Sequence, residues 1–153
     1  MAHWTAKRYR DYIAKKLGRP VDKPKVTKWS EPEKRYFLGV LHGVGEYESC
    51  RLRVFPDSVE EHHYTPDFTT VNHGRIVHHE VKGAYRLQSQ DAARLRFIGA
   101  SWCNSMDTFV WAKERRNRRW DVEVFRGGVR IIKQAGVTGV EINREGQFTW
   151  HGK

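Results

Sequence analysis

The sequence has few cysteines, few prolines and no long apolar run. Only Cys50 and Cys103 carry thiols among 153 residues, and no C-x-x-C spacing occurs. That excludes both a disulfide framework and a four-cysteine zinc module, and suggests a reducing compartment. No uninterrupted apolar stretch approaches the ~18 residues a membrane span needs, and the opening MAHWTAKRYR lacks the apolar centre of a secretory signal. The expectation is a cytoplasmic protein with no membrane partner. Neither a repeat of solenoid period nor a low-complexity tract is present. What remains is an ordinary globular composition, 39% hydrophobic and 12% aromatic, on a chain long enough for one compact domain with short additions.

Acidic residues are also scarce: 18 Asp and Glu stand against 28 Lys and Arg, for a formal net charge of +10. The excess is concentrated. Before residue 31, nine cationic side chains, among them Lys7, Arg8, Arg10, Lys15 and Lys16, face only Asp11 and Asp22. A second cluster, Lys113, Arg115, Arg116, Arg118 and Arg119, follows an apolar stretch late in the chain. Clusters of this kind suit a phosphate backbone, and the expected partner is DNA.

The pattern of apolar residues divides the chain into 1–29, a basic N-terminal helix and arm; 30–112, a core; and 113–153, a basic segment with a small C-terminal β extension. Tyr9, Ile13 and Leu17 recur at helical spacing until Gly18 and Pro20. Ser30-Glu31-Pro32-Glu33 has an N-cap serine, an early proline and a glutamate three residues after the cap, which predicts a helix continuing to Gly43. Strands are predicted over 47–55, 64–71 and 75–82, a helix over 88–98 ended by Gly99, and a strand over 109–112. The last two strands of the core are then joined by a crossover helix. Short strands near 122–125, 129–132, 140–142 and 148–150 make up the extension.

Asn72-His73-Gly74 reads as the turn of a hairpin. With His73 and Gly74 as the two turn residues, Asn72 opposes Arg75 and Asp67 opposes Glu80. Alternation then sets Asp67, Thr69 and Val71 with Ile76, His78, Glu80 and Lys82 on one face, and Phe68, Thr70, Val77, His79 and Val81 on the other. Two directly opposed carboxylates repel, and a divalent cation removes that cost. One or two carboxylates, with water and phosphate completing the shell, is the usual way magnesium is held beside phosphate. Lys82 adds a cation near the charge that develops on the phosphate, or orients the attacking water.

Tyr64-Thr65-Pro66-Asp67-Phe68 followed by His79-Glu80-Val81-Lys82-Gly83 resembles the signature of the PD-(D/E)XK nuclease superfamily. In detail the chain is similar to bacteriophage endonuclease I-type Holliday-junction resolvases, in which a helix opening Ser-x-x-Glu precedes T-P-D-F and E-x-K-G; Ser30 and Glu33 hold the matching positions. The resemblance spans about residues 30 to 112. It implies an α/β (α+β) restriction-endonuclease-like core, with the order helix, three strands, helix, strand, around a mixed sheet. It also implies a magnesium-dependent endonuclease, with manganese as a substitute, acting on branched or duplex DNA in recombination or genome processing, and phage-encoded in a bacterial host. Asp67, Glu80 and Glu33 would be metal ligands and Lys82 the catalytic lysine. Glu33 also fits a capping box completely, so cap and ligand stay open alternatives. A homodimer enters by analogy, to explain paired cuts.

Contacts to DNA are expected from the two basic clusters, from Arg94, and from His78, which alternation sets beside Glu80. A zinc site from His62, His63, His78 and His79 is disfavoured, because adjacent strand residues point to opposite faces. The rival reading is a non-catalytic nucleic-acid-binding protein that uses its basic arm and interleaved aromatics.

Overall fold

The computed structural model describes residues 29–54, 62–85, 90–142 and 148–152. The predicted N-terminal helix, with Lys7, Arg8, Arg10, Lys15 and Lys16, lies outside the described residues.

The first described helix, α1 (Glu31–Gly39), begins where the sequence announces it. Ser30 Oγ accepts from the Glu33 amide at 3.4 Å, and Glu33 Oε2 accepts from the Ser30 amide at 2.7 Å, a complete capping box. It ends earlier than predicted. Val40 is the C-cap, and the positive φ of His42 (51°) and Gly43 (75°) turns the chain away, although Val40 and Leu41 stay buried.

The single strand predicted over 47–55 is two strands in different sheets. Strand β1 (Glu46–Tyr47) pairs with the main sheet, Glu48 then adopts a φ of 44°, and β2 (Leu52–Val54) pairs instead with β3 (His62–Tyr64). Phe55 lies outside the described residues. The strand predicted over 64–71 is likewise interrupted. Pro66 has no N–H to donate, so pairing stops at Tyr64 and resumes in β4 (Phe68–Asn72).

Strand β5 (Arg75–Lys82) has the predicted bounds and register: Asn72 pairs with Arg75, Thr69 with His78 and Phe68 with His79. The turn residues His73 and Gly74 both have positive φ, 47° and 79°, which suits the right-handed twist of the hairpin. Helix α2 (Gln90–Cys103) crosses over to β6 (Thr108–Glu114), which runs parallel to β5. Gly99 does not end that helix. It is buried with Phe97 and Ala100 against the sheet, and this packing outweighs the ~1 kcal/mol that an interior glycine costs.

The predicted C-terminal β extension requires the largest correction. Strands β7 (Trp120–Arg126) and β8 (Val129–Val137) continue the main sheet, whose order is β1-β4-β5-β6-β7-β8. Val122, Val124 and Val137 belong to the same apolar cluster as Phe68 and Val110, so the core does not end at residue 112. Only β9 (Gly139–Ile142) and β10 (Phe148–His151) form a separate hairpin. The fold is mixed α/β, with a six-stranded mixed sheet and a helix on each face among the described residues. No described helix is long and apolar enough to cross a membrane.

The two faces carry separate cores. On one, α1 sets Tyr36 and Val40 against Phe68, Val77, Val81 and Val110. On the other, α2 and the β2–β3 pair set Phe97, Val54 and Tyr64 against Phe109, Trp111 and Phe125. Phe97 meets the edges of Phe109, Trp111 and Phe125 at centroid distances of 5.8, 5.2 and 5.4 Å. Phe97→Ala should cost roughly 3–5 kcal/mol in urea denaturation, whereas truncating the exposed Leu95 beside it should cost under about 0.5 kcal/mol.

Candidate active site

The carboxyl end of β5 gathers the acidic signature residues. Asp67 sits between Pro66 and the first residue of β4, and its Oδ2 accepts from the Val81 amide at 2.7 Å. Glu80, 5% exposed, is directed to the α2 face. Its Oε2 accepts from the Tyr64 hydroxyl and its Oε1 from Lys82 Nζ, both at 2.5 Å. Lys82 in turn lies 5.5 Å from the centroid of the buried Trp111 ring, which holds the ammonium over an apolar plate. Glu80 and Lys82 share a face because they are two residues apart on one strand.

Burial decides the state of this corner, and like-charge crowding adds to it. Burial, and next to it the charge of Glu80, pushes the Asp67 carboxyl up to about 8, against the opposing pull of the Val81 N–H and Lys82. Glu33 adds to the upward push, so the helix carboxylate belongs electrostatically to the same corner. Its structural role is also real, since Oε2 accepts the cap hydrogen bond and faces the Tyr47 hydroxyl at 3.4 Å. Burial and the Glu80 carboxylate also raise the Tyr64 phenol well above its ordinary value, which keeps it a donor.

Two neighbouring carboxylates are hard-oxygen donors of the kind a divalent cation takes up, and the raised Asp67, set first by burial and then by Glu80, shows that a second full negative charge is costly there. Asp67 and Glu80 are therefore the pair that could hold magnesium. Among the described residues there is no arrangement of three or more His, Cys, Asp or Glu side chains suited to a metal ion, so water and phosphate would have to fill the remaining positions.

His78 does not join the site. It is 2% exposed, its Nε2 lies 3.0 Å from Asp107 Oδ2, and its Nδ1 lies 3.1 Å from Thr69 Oγ1. Phe109 packs at 4.8 Å, so the ring on which a phosphate contact was expected is sealed inside. His79 points to the opposite layer, with Nδ1 at 3.0 Å from the Tyr36 hydroxyl and Nε2 at 3.0 Å from Thr70 Oγ1; burial pushes it down to about 3. The two adjacent histidines thus face different layers, as alternation requires.

Arg94 is not a free phosphate ligand. Its guanidinium lies 2.7 Å from Glu123 and 5.2 Å from the Trp111 centroid. Arg115 pairs with Asp121 at 2.8 Å, Arg119 is half-buried, and Arg116 and Arg118 are exposed on the β6–β7 turn. Sequence reasoning gave no role to Tyr64, Trp111 or the Arg35–Glu114 pair, in which Arg35 Nε and Nη2 meet the two Glu114 oxygens at 2.6 and 2.9 Å. Tyr64 stood inside the quoted motif, three residues before Asp67. Trp111 and Glu114 become meaningful only once β6 is laid beside β5.

The pH dependence of stability separates these groups. Asp67 titrates from 3.8 unfolded to about 8 folded, so its contribution is complete at low pH and is lost as pH rises toward 8. His79, moved from 6.5 to about 3, contributes fully above 6.5 and loses that contribution as pH falls. Without divalent cations, urea stability should therefore decline between pH 6.5 and 8, and Asp67→Asn should flatten that decline. Magnesium at pH 8 should raise Tm in the wild type and not in Asp67→Asn.

Comparison of the chain with protein-family models, with curated proteins and with solved structures yields no match.

Proposed function

We propose that this protein is a magnesium-dependent DNA endonuclease built on a restriction-endonuclease-like core. The observation that carries the reading is the convergence of Asp67, Glu80 and Lys82 at one sheet end, with Asp67 held at about 8 by burial beside a second carboxylate. Support also comes from the order of elements. The helix α1, the antiparallel β1-β4-β5 run, the crossover helix α2 and the parallel β6 follow the arrangement that the sequence motifs imply.

In this reading Asp67 and Glu80 hold the cation, which supplies activation of water and stabilisation of the leaving oxygen. Lys82 is positioned by Glu80 and Trp111 to donate to a phosphate oxygen as charge builds on it. Tyr64 holds Glu80 in one rotamer, and the Val81 amide does the same for Asp67. Glu33 contributes negative charge from the start of α1 while it caps that helix. Branched DNA is the substrate preferred by the motif resemblance.

A second reading has an observation of its own. Both oxygens of Glu80 and one of Asp67 are already satisfied within the protein, which is also how a purely structural polar cluster would look. A non-catalytic nucleic-acid-binding protein would bind DNA equally well in EDTA and after loss of Asp67.

The test is incubation of the protein with labelled four-way junction, duplex and single-stranded DNA in magnesium. Cleavage that EDTA abolishes and that Lys82→Ala reduces by about 100-fold or more is expected. DNA binding without any cleavage, in magnesium or manganese, would favour the binding protein. Glu33→Gln separates cap from ligand. Glutamine also completes a capping box, so stability should change by less than about 0.5 kcal/mol while turnover falls.

A further inference from the structure

The parallel pairing of β5 and β6 brings the second basic cluster to the candidate site. Lys82 and Lys113 are register partners, so Lys113 starts one strand spacing, ~4.8 Å, from the lysine at the reacting corner. Beyond Lys113 the chain turns back through Arg115–Arg119, closed by the Arg115 amide donating to the Arg119 carbonyl at 2.7 Å and by a positive φ at Arg118 (57°). Between this turn and Ala84, two residues past Lys82, lies an open groove of about 490 Å³ lined by Lys113, Arg115, Arg116 and Asn117.

The charges of the groove do not cancel. Glu114 lines it but is neutralised from outside by the two-pronged contact of Arg35, and Asp121 is matched by Arg115. Lys113 and Arg116 make no ion pair among the described residues, and Asn117 adds an uncharged donor. A groove with surplus cations, an amide and an open mouth is suited to a phosphodiester with its sugar, not to an apolar ligand. Its position matters as much as its charge. The groove is lined by Ala84, two residues past Lys82, and by Lys113, the register partner of Lys82, so it adjoins the carboxyl end of β5.

We propose that this groove holds the phosphodiester next to the one cleaved, so that the substrate is a continuous polynucleotide strand passing through the site rather than a nucleotide or a terminal phosphate. The assignment rests on the hydrolytic reading of Asp67, Glu80 and Lys82. It also divides the basic cluster into roles. Lys113 and Arg116 hold phosphate, Arg115 braces the turn through Asp121, and Glu114 fastens the strand to α1 through Arg35.

The experiment pairs a Lys113→Ala/Arg116→Ala variant with a control of equal charge loss, Arg75→Ala/Lys133→Ala, whose exposed residues lie at the far end of β5 and on β8. Binding of a labelled DNA oligonucleotide in EDTA is titrated against salt, and cleavage is followed in magnesium on substrates carrying one uncharged methylphosphonate at successive positions. The groove variant should lose about tenfold or more in affinity, and its log K against log salt slope should drop by about 2, one for each lost contact. The control should change less than about threefold. A methylphosphonate beside the cleaved bond should raise KM for the wild type and have little further effect on the groove variant, because both remove the same contact. Arg116→Ala alone gives the same comparison, with half the change in slope, should the double variant fold poorly.

If the wild type cuts DNA but groove and control variants lose affinity alike, or if the methylphosphonate effect is the same in both proteins, the groove assignment is overturned and the hydrolytic reading stands. If the wild type cuts none of the substrates, the hydrolytic reading fails and takes the placement beside a scissile bond with it.

Discussion

The register of the β4–β5 hairpin is the constraint on which the rest depends. A two-residue turn with both residues at positive φ allows one pairing, and a slip by one residue would exchange every side chain between the two faces. Phe68, Val77 and Val81 would leave the α1 core, and Glu80 and Lys82 would leave the α2 layer. Because each face has its own closely packed cluster, neither exchange is tolerable. The hairpin therefore selects the core and, through it, the carboxylates that stand together.

Holding those carboxylates together requires several compensations. Tyr64 and Lys82 take up Glu80, the Val81 amide takes one oxygen of Asp67, and burial together with the remaining repulsion is left as a raised proton affinity on Asp67. The tyrosine comes from the end of β3, interrupted by Pro66 so that the next strand can begin at Phe68. The lysine comes from β5 and the plate beneath it from β6. A corner drawn from three strands in this way holds Glu80 and Lys82 in fixed relation, each by partners on a different strand.

Much of this was legible in the sequence, for local reasons. The capping box of Ser30 and Glu33, the His73–Gly74 turn, the span of β5 and the shared face of Glu80 and Lys82 follow from spacings of one to four residues. The errors have a common origin in contacts far apart along the chain. Gly99 reads as a helix end until the sheet that buries it is present. The stretch from Tyr47 to Phe55 reads as one strand until Glu48 adopts a left-handed conformation and the second half finds another partner. His78 reads as a site residue because alternation sets its face but not its depth; Phe109 and Asp107 cover it.

The sequence alone determined the helix start, the hairpin register and the identity of the residues that share the β5 face, because these depend on backbone stereochemistry within a few positions. It also determined the charge and its division into two clusters. Only the tertiary structure decided that β7 and β8 complete the main sheet, that His78 and Arg94 are spent on internal partners, and that the arginine turn stands beside Lys82. Those outcomes depend on the pairing of β5 with β6 across a crossover helix, and the position of a parallel partner is written in the packing of two apolar layers rather than in any local run of residues.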